Sequence, residues 1–479
     1  MTQRDESGFA VGMGSDSDRE GVNEPSRRRF LSTAALAMGA FALGCADRVA
    51  GVSAMLPRSD VAPPLPDPDS SGIEHVIVVM MENRSFDHFL GWLPGADGRQ
   101  AGLTYVDRHG IARQTHPLAP DYEGCGFAAP DGTYAGGRVD FNGGACDGWL
   151  RAGRNDLYTI GYYQARDLPF LGWAAQDWTC FDRYFSSVMA ETFPNRLYQH
   201  AGQSDRIHNT LALTALPTIW DRLAARGLTG RYYFHDLPFL ALWGAKYIGV
   251  ARSYGEFLED CAAGTLPHVA FVDPRFLGEP VGLSGDDHPN GDIRVGEAFL
   301  NEVYTAVTGG PAWPNTVLVI NFDEWGGFFD HVAPPIAPIS AVDFAAGNDG
   351  RLGFRTPTVL ISPFARRRTV DHTVYDHTSI LRMIEWRWRL EPLAVRDDAA
   401  NNLAAALNFE LPDPDAPHYS VNRVVPRLCI SWLLGQRAEP GVGGVSADRS
   451  GGGARGTPSA TPRHWRELRD VARQHGWTT

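Results

Sequence analysis

Two apolar runs stand out along the chain: Ile73-Glu-His-Val-Ile-Val-Val-Met-Met81 and Thr316-Val-Leu-Val-Ile-Asn-Phe322. Both are nearly continuous rather than alternating, and both are rich in β-branched residues. Such runs predict strands buried on both faces, as in parallel sheets. Residues Gly230–Phe234, 268–272 and 356–362 predict further strands. Between them the apolar spacing becomes helical. Over 292–307, Phe299, Leu300, Val303, Tyr304 and Val307 fall on one helix face; 378–389 and 219–226 behave alike. Strands alternating with helices predict an α/β domain with a central, mostly parallel sheet flanked by helices. Residues 92–145 are glycine-rich and loop-like, and are expected to form an insertion over one edge of that sheet.

The ends of the chain break this pattern. Residues 1–25 are polar; Ser26-Arg-Arg-Arg-Phe-Leu31 and a small-residue apolar run to Gly44 follow. Twin arginines before a short apolar stretch resemble a Tat export signal. The run falls short of the roughly 20 residues that span a bilayer. Residues 1–54 are therefore read as an address, handled by the Tat export machinery. The expected destination is the periplasm, cell surface or medium. Ala42-Leu-Gly-Cys45 partly resembles a lipoprotein site, which would give lipid-anchored membrane contact; cleavage near Ala54 is the alternative. A Pro/Asp/Ser linker covers 55–72, and the main domain is expected over 73–437. The remainder, 438–479, is expected to be a disordered Gly/Ser-rich tail ending in a short helix at about 462–477.

Composition narrows the class. A hydrophobic fraction of 43% and an aromatic fraction of 11% indicate a globular protein. A net charge of −13 argues against nonspecific nucleic-acid binding. Beyond Cys45 the cysteines are Cys125, Cys146, Cys180, Cys261 and Cys429. Their spacing fits no zinc ribbon. Cys125 and Cys146 bracket a glycine-rich loop: either they pair, or the thiols are buried and free.

The chemistry lies at the ends of the two apolar runs. Glu82 and Asn83 follow the first directly, Asp323 and Glu324 the second. In open α/β sheets ligands bind beyond the carboxyl ends of the strands. Adjacent buried carboxylates repel each other unless a cation compensates. Three carboxylates and an amide at one edge form a hard-cation site, open to calcium, manganese, magnesium, iron or zinc. Thr192 precedes Pro194, a residue suited to a first helical turn. A hydroxyl there is either an ordinary cap or, beside a cation, a nucleophile. His288, flanked by carboxylates in Gly285-Asp-Asp-His-Pro-Asn290, is a general-acid candidate. His331 and His377 are weaker candidates that serve equally as structural hydrogen-bonding groups.

Taken together, Glu82-Asn-Arg-Ser-Phe-Asp-His88, Thr192-Phe-Pro-Asn-Arg196, Asp287-His-Pro289, Asp323-Glu-Trp-Gly-Gly-Phe-Phe-Asp-His331 and Tyr375-Asp-His-Thr-Ser379 resemble bacterial phosphoesterases. That family groups phospholipases C with an acid phosphatase, within the alkaline-phosphatase-like superfamily. The resemblance covers residues 72 to 400. It implies one divalent ion held by Glu82, Asn83, Asp323 and Glu324, with Thr192 as nucleophile and His288 contacting phosphate. It also implies that Asn195, Arg196, His331 and His377 bind substrate. The implied reaction cleaves a phospholipid to diacylglycerol and a phosphorylated head group through a phosphothreonine. The alternatives are a broad acid phosphatase and a catalytically silent surface binding protein. Two departures stand out. Gly132 and Thr133 occupy the place where the family has a histidine before Asn142-Gly-Gly-Ala-Cys-Asp-Gly148. Glu191 precedes the nucleophile where relatives often have glycine, and its charge disfavours doubly charged monoesters.

Overall fold

The computed structural model describes residues 64–429 and 463–477, all within the compact unit Ala62–Thr479. The twin-arginine segment, Cys45, the cut near Ala54 and the Gly/Ser stretch before the last helix lie outside the described residues. Twelve strands are described: β1 His75–Met81, β2 Thr104–Val106, β3 Ala112–Gln114, β4 His116–Pro117, β5 Gly161–Tyr162, β6 Thr179–Phe181, β7 Gly230–Phe234, β8 Ala251–Ser253, β9 Val269–Asp273, β10 Thr316–Phe322, β11 Val359–Ile361 and β12 Thr369–Asp371. Eight form one sheet in the order β12-β6-β11-β10-β1-β9-β7-β8. From β10 to β8 the pairing is parallel; β11 runs antiparallel to both its neighbours. The architecture is thus α/β with a mostly parallel central sheet.

The two long apolar runs lie side by side at its centre, in a register that sets Met81 against Phe322. Their continuity follows from burial on both faces. Val76 and Val78 pack with Phe193, Leu197 and Ile380 on one side. Ile77, Val79 and Met81 pack with Phe89, Leu300 and Val303 on the other. The helix expected over 292–307 spans Ile293–Thr308, capped by the Asp292 carboxylate on the Arg294 amide. The helix His377–Trp388 starts at its Asp376 cap and stops where Arg389 turns left-handed. The strands β6, β8 and β12 escape periodicity because three residues carry no period. No described helix is long and apolar enough to cross a membrane.

Three regions differ from their expected form. The 92–145 segment is not structureless: it holds the β2–β3 hairpin and the helix Tyr134–Phe141. Cys125 pairs with Cys429, 304 positions away, not with Cys146. Cys146, Cys180 and Cys261 are buried free thiols. The helix expected in the tail spans Arg463–Gln474 and buries Trp465, Leu468 and Ala472 in the main core, so it is packed rather than loose.

Candidate active site

Parallel pairing of β1 and β10 sets their ends level, and the chain continuing from each supplies the acidic residues. The Asp323 amide donates to the Met81 carbonyl at 3.0 Å, extending the ladder by one residue. Asp323 Oδ1 then accepts the amides of Asn83 (3.0 Å) and Glu324 (2.7 Å). One carboxylate oxygen thereby joins segments 240 positions apart. Asn83 adopts φ 58, a left-handed turn that asparagine tolerates. Gly326 has φ 65, and a Cβ there would lie 2.3 Å from the Asn83 carbonyl oxygen, so only glycine lets the two loops meet.

Thr192 begins the helix Thr192–Ala201, and its hydroxyl donates to Glu82 Oε2 at 3.1 Å. That hydroxyl also favours the ionised form of Asp323. Thr192 is only 2% exposed. Glu82 Oε1 is held by Arg196 through Nε (2.9 Å) and Nη2 (2.6 Å). Arg196 also bonds Asp273 at 2.9 Å and the Met80 carbonyl at 3.1 Å. Burial, then the Asp323 charge, pushes the Glu82 carboxyl well up, against the opposing pull of Arg196. Burial likewise pushes Asp323 up to about 6 and Glu324 well above its ordinary value. Asn83 Oδ1 and Asp323 Oδ2 are buried with no partner.

These observations bear on whether a cation fits. Buried carboxylates crowd the site with Arg196 as their near counter-charge, and two oxygens are unsatisfied. All the donors are hard oxygens. A divalent ion held by Glu82, Asn83, Asp323 and Glu324 would relieve both deficits. Two tighter acidic or thiol groupings among the described residues do not qualify. Glu123, Cys125 and Cys429 include the disulfide. Asp87 and Asp330 are already paired with Arg355, and His331 with Asp87 and Asp97.

The four residues expected to bind substrate are all engaged inside the fold. Asn195 accepts the Val188 amide and donates to the Val188, Ala190 and Glu191 carbonyls, fixing the loop before Thr192. Arg196 is used as above. His331 faces Asp87 at 2.5 Å and Asp97 at 3.0 Å, leaving neither nitrogen free. His377 donates from Nε2 to the Asp323 carbonyl at 2.7 Å, and its Nδ1 faces the Tyr184 hydroxyl at 3.1 Å. In this structure their hydrogen-bonding groups are taken up by partners inside the fold.

His288 is differently placed from its expected acid role. Its Nδ1 faces the Pro289 carbonyl at 3.0 Å, so that nitrogen carries the proton and Nε2 keeps its lone pair. Burial, with Arg84 nearby, pulls it down to about 4. It is therefore a neutral proton acceptor. Nε2 lies 3.8 Å from Glu279, whose buried oxygens have no partner and whose carboxyl is pushed well up. The Asp286 carbonyl accepts the Glu82 amide at 2.7 Å. Glu279 and Asp273 were missed in the sequence. Glu279 lies in an irregular stretch with no pattern to mark it. Asp273 ends β9, and the strand-end rule that picked out Glu82 and Asp323 applies to it equally. A Cβ on Gly132 would lie 3.0 Å from both Glu324 oxygens, so the position lacking the histidine does border the site.

The model of the phosphoesterase family matches residues 73–391. Non-specific phospholipase C1 of Arabidopsis thaliana is 31% identical over 414 residues, covering 75% of this chain and 74% of that protein. Phospholipase C B of Mycobacterium tuberculosis (strain ATCC 25618 / H37Rv) is 30% identical over 499 residues, covering 87% and 92%. Among solved structures, a protein in the alkaline phosphatase superfamily from Vibrio parahaemolyticus aligns over 68% of this chain and 69% of its own, with 10% identity and a TM-score of 0.34.

Proposed function

This chain belongs to the phosphoesterase family and is a phosphoric ester hydrolase, and from that premise we propose that it is a metal-dependent phospholipase C. It cleaves a phospholipid to diacylglycerol and a phosphorylated head group through a phosphothreonine at Thr192. The observation that carries this reading is the Thr192 hydroxyl bonded to Glu82 where β1 and β10 end together. The phospholipase C names of the relatives support the substrate class.

In the first step Thr192 Oγ1 bonds to phosphorus and the bond to the diacylglycerol oxygen breaks. The Thr192 proton passes to Glu82 Oε2 and from there to the departing diacylglycerol oxygen. In the second step water attacks phosphorus and Thr192 Oγ1 leaves. The water proton is taken by the His288 Nε2 lone pair and passed to the departing Thr192 Oγ1. A divalent ion bound at Glu82, Asn83, Asp323 and Glu324 supplies Lewis-acid stabilisation of charge on the phosphoryl oxygens. Arg196 and Asn195 fix the carboxylate and the loop on either side of the hydroxyl.

The second reading is a phosphomonoesterase. Glu191 weighs against it: its carboxylate accepts the Asn209 amide just before Thr192 and its charge reaches Glu324. A dianionic monoester is repelled more than a monoanionic diester. Release of nitrophenol from nitrophenyl phosphorylcholine, with little from nitrophenyl phosphate, is the expected pattern; the reverse overturns the phospholipase assignment. We also propose export through the Tat pathway, tested by replacing Arg27 and Arg28 with lysine and following the protein between cell fractions.

A further inference from the structure

The helix Arg463–Gln474 lies beyond the residues that the family matches, yet it packs against the nucleophile's own helix. Trp465 stacks flat on Phe276, with centroids 4.0 Å apart and planes at 8°. Trp477, after the helix, donates from its indole to the Gly244 carbonyl at 2.8 Å. Two of the contacts reach the site described above. Phe193, next to Thr192, meets the His464 ring edge-on at 5.0 Å and Trp465 at 5.4 Å. Arg196, which holds Glu82, lies 4.7 Å over Phe276 and 5.8 Å from the Trp465 ring.

His464 is the unexplained part of this contact. It is buried, and its Nε2 has no hydrogen-bond partner. A helix that only covered Phe193 would be better served there by an apolar side chain, because an unpaired buried nitrogen is destabilising. The ring is close enough to His288 and Arg196 for both to act on its ionisation, and burial keeps it neutral. Its ring thus lies against Phe193, the residue that follows the nucleophile.

We propose, building on the phosphoesterase reading, that the C-terminal helix is a wall of the active site. In this arrangement His464 Nε2 binds an oxygen of the phosphate ester, and Trp465 is a positioning residue that holds Arg196 behind Glu82. The test uses the full chain and four variants: His464→Ala, Trp465→Ala, Trp465→Phe and, on the exposed side of the same helix, Glu467→Ala. Turnover of nitrophenyl phosphorylcholine and binding of inorganic phosphate by thermal shift are measured for each. His464→Ala is expected to lose at least tenfold in kcat/KM and to weaken phosphate binding in parallel. Trp465→Ala is expected to lower kcat with KM little changed, Trp465→Phe to restore most of it, and Glu467→Ala to match the parent. Phosphate affinity and kcat/KM of His464→Ala within twofold of the parent would remove His464 from the site. A rise in kcat for Trp465→Ala would make the helix a cover over the site and overturn the wall. Should the parent turn over no phosphodiester, the functional reading fails on its own, while the phosphate-binding comparison still decides on His464.

Discussion

Two buried acidic clusters among the described residues differ in how their acceptors are satisfied. Around Glu82, Asp323 and Glu324, Asp323 Oδ2 and Asn83 Oδ1 have no partner. Around Asp87 and Asp330 every carboxylate oxygen is bonded. Asp87 accepts the Arg99 and His331 amides and Arg355 Nη2; Asp330 accepts the Val332 amide and Arg355 Nε. Burial alone does not separate them, since it pushes Asp323 and Asp330 alike up to about 6. The difference is that Arg355 bonds both carboxylates of one cluster, whereas in the other Arg196 bonds Glu82, and Asp323 Oδ2 is left without a partner. Of these two clusters, the one with unsatisfied acceptors is the one whose Glu82 receives the Thr192 hydroxyl.

The sharpest break of this comparison is at Thr192. Thr192→Ala is expected to lower turnover by about a thousandfold or more, as loss of a covalent nucleophile does. Thr192→Ser should retain activity. Metal content and thermal stability of the alanine variant should stay near the parent's. Retention of a tenth of the rate, a barrier change of only about 1.4 kcal/mol, removes Thr192 from the scheme. In the closed cluster the effect is on folding instead. Arg355→Leu removes the guanidinium shared by two buried carboxylates, leaving Asp330 without its ion pair, and is expected to cost about 3–5 kcal/mol in denaturant unfolding. A loss below about 1 kcal/mol would mean that Arg355 does not hold that cluster together.

Asp323→Asn separates the clusters next. The variant should lose metal by elemental analysis and fall about a hundredfold in turnover, while its metal-free form is at least as stable as the metal-free parent. Stoichiometric metal in the variant excludes Asp323 as a principal ligand. The pH dependence follows from the same carboxyl. Its folded value of about 6 lies above the ordinary carboxylate range, so the metal-free fold holds a proton that the unfolded chain has released. The stripped protein should therefore gain stability as pH falls from 7 through 6 towards 4. Metal affinity should fall over that window, because protons compete for the ligand. A stripped protein that instead loses stability between pH 7 and 5 contradicts the placement of Asp323.

Much of this was legible in the sequence, for a physical reason. Both long strands are buried on both faces, so their apolar runs are continuous, and a polar residue just past the end of such a run must lie at the sheet's edge. That logic located Glu82, Asn83, Asp323 and Glu324 from the residues alone, and Asp273 was open to it. It does not say where a side chain's hydrogen bonds go. Asn195, Arg196, His331 and His377 lie in motifs around the site, but Asn195 is used by the loop just before Thr192 and the other three by groups from distant segments. The Cys125–Cys429 bridge and the docking of Trp465 on Phe276 join parts of the chain that no local pattern connects. Tertiary packing decides such features, and it leaves no periodic trace.

The smallest effect tests that distinction between site and scaffold. His377 lies one hydrogen bond from Asp323, and its expected substrate contact would make it indispensable. Its Nε2 instead supports the Asp323 backbone carbonyl, and burial pulls it down to about 4, so it is neutral throughout the working range. His377→Gln can still donate to that carbonyl. It is expected to cost about 1 kcal/mol of stability, the worth of one ordinary hydrogen bond, and to change kcat less than about threefold. The pH–rate profile should keep both limbs where they were, because no titrating group has been removed from the reaction. A shifted limb, or a loss of kcat approaching that of Thr192→Ala, would move His377 from the scaffold into the chemistry and erase the line drawn between the residues that hold Asp323 and those that use it.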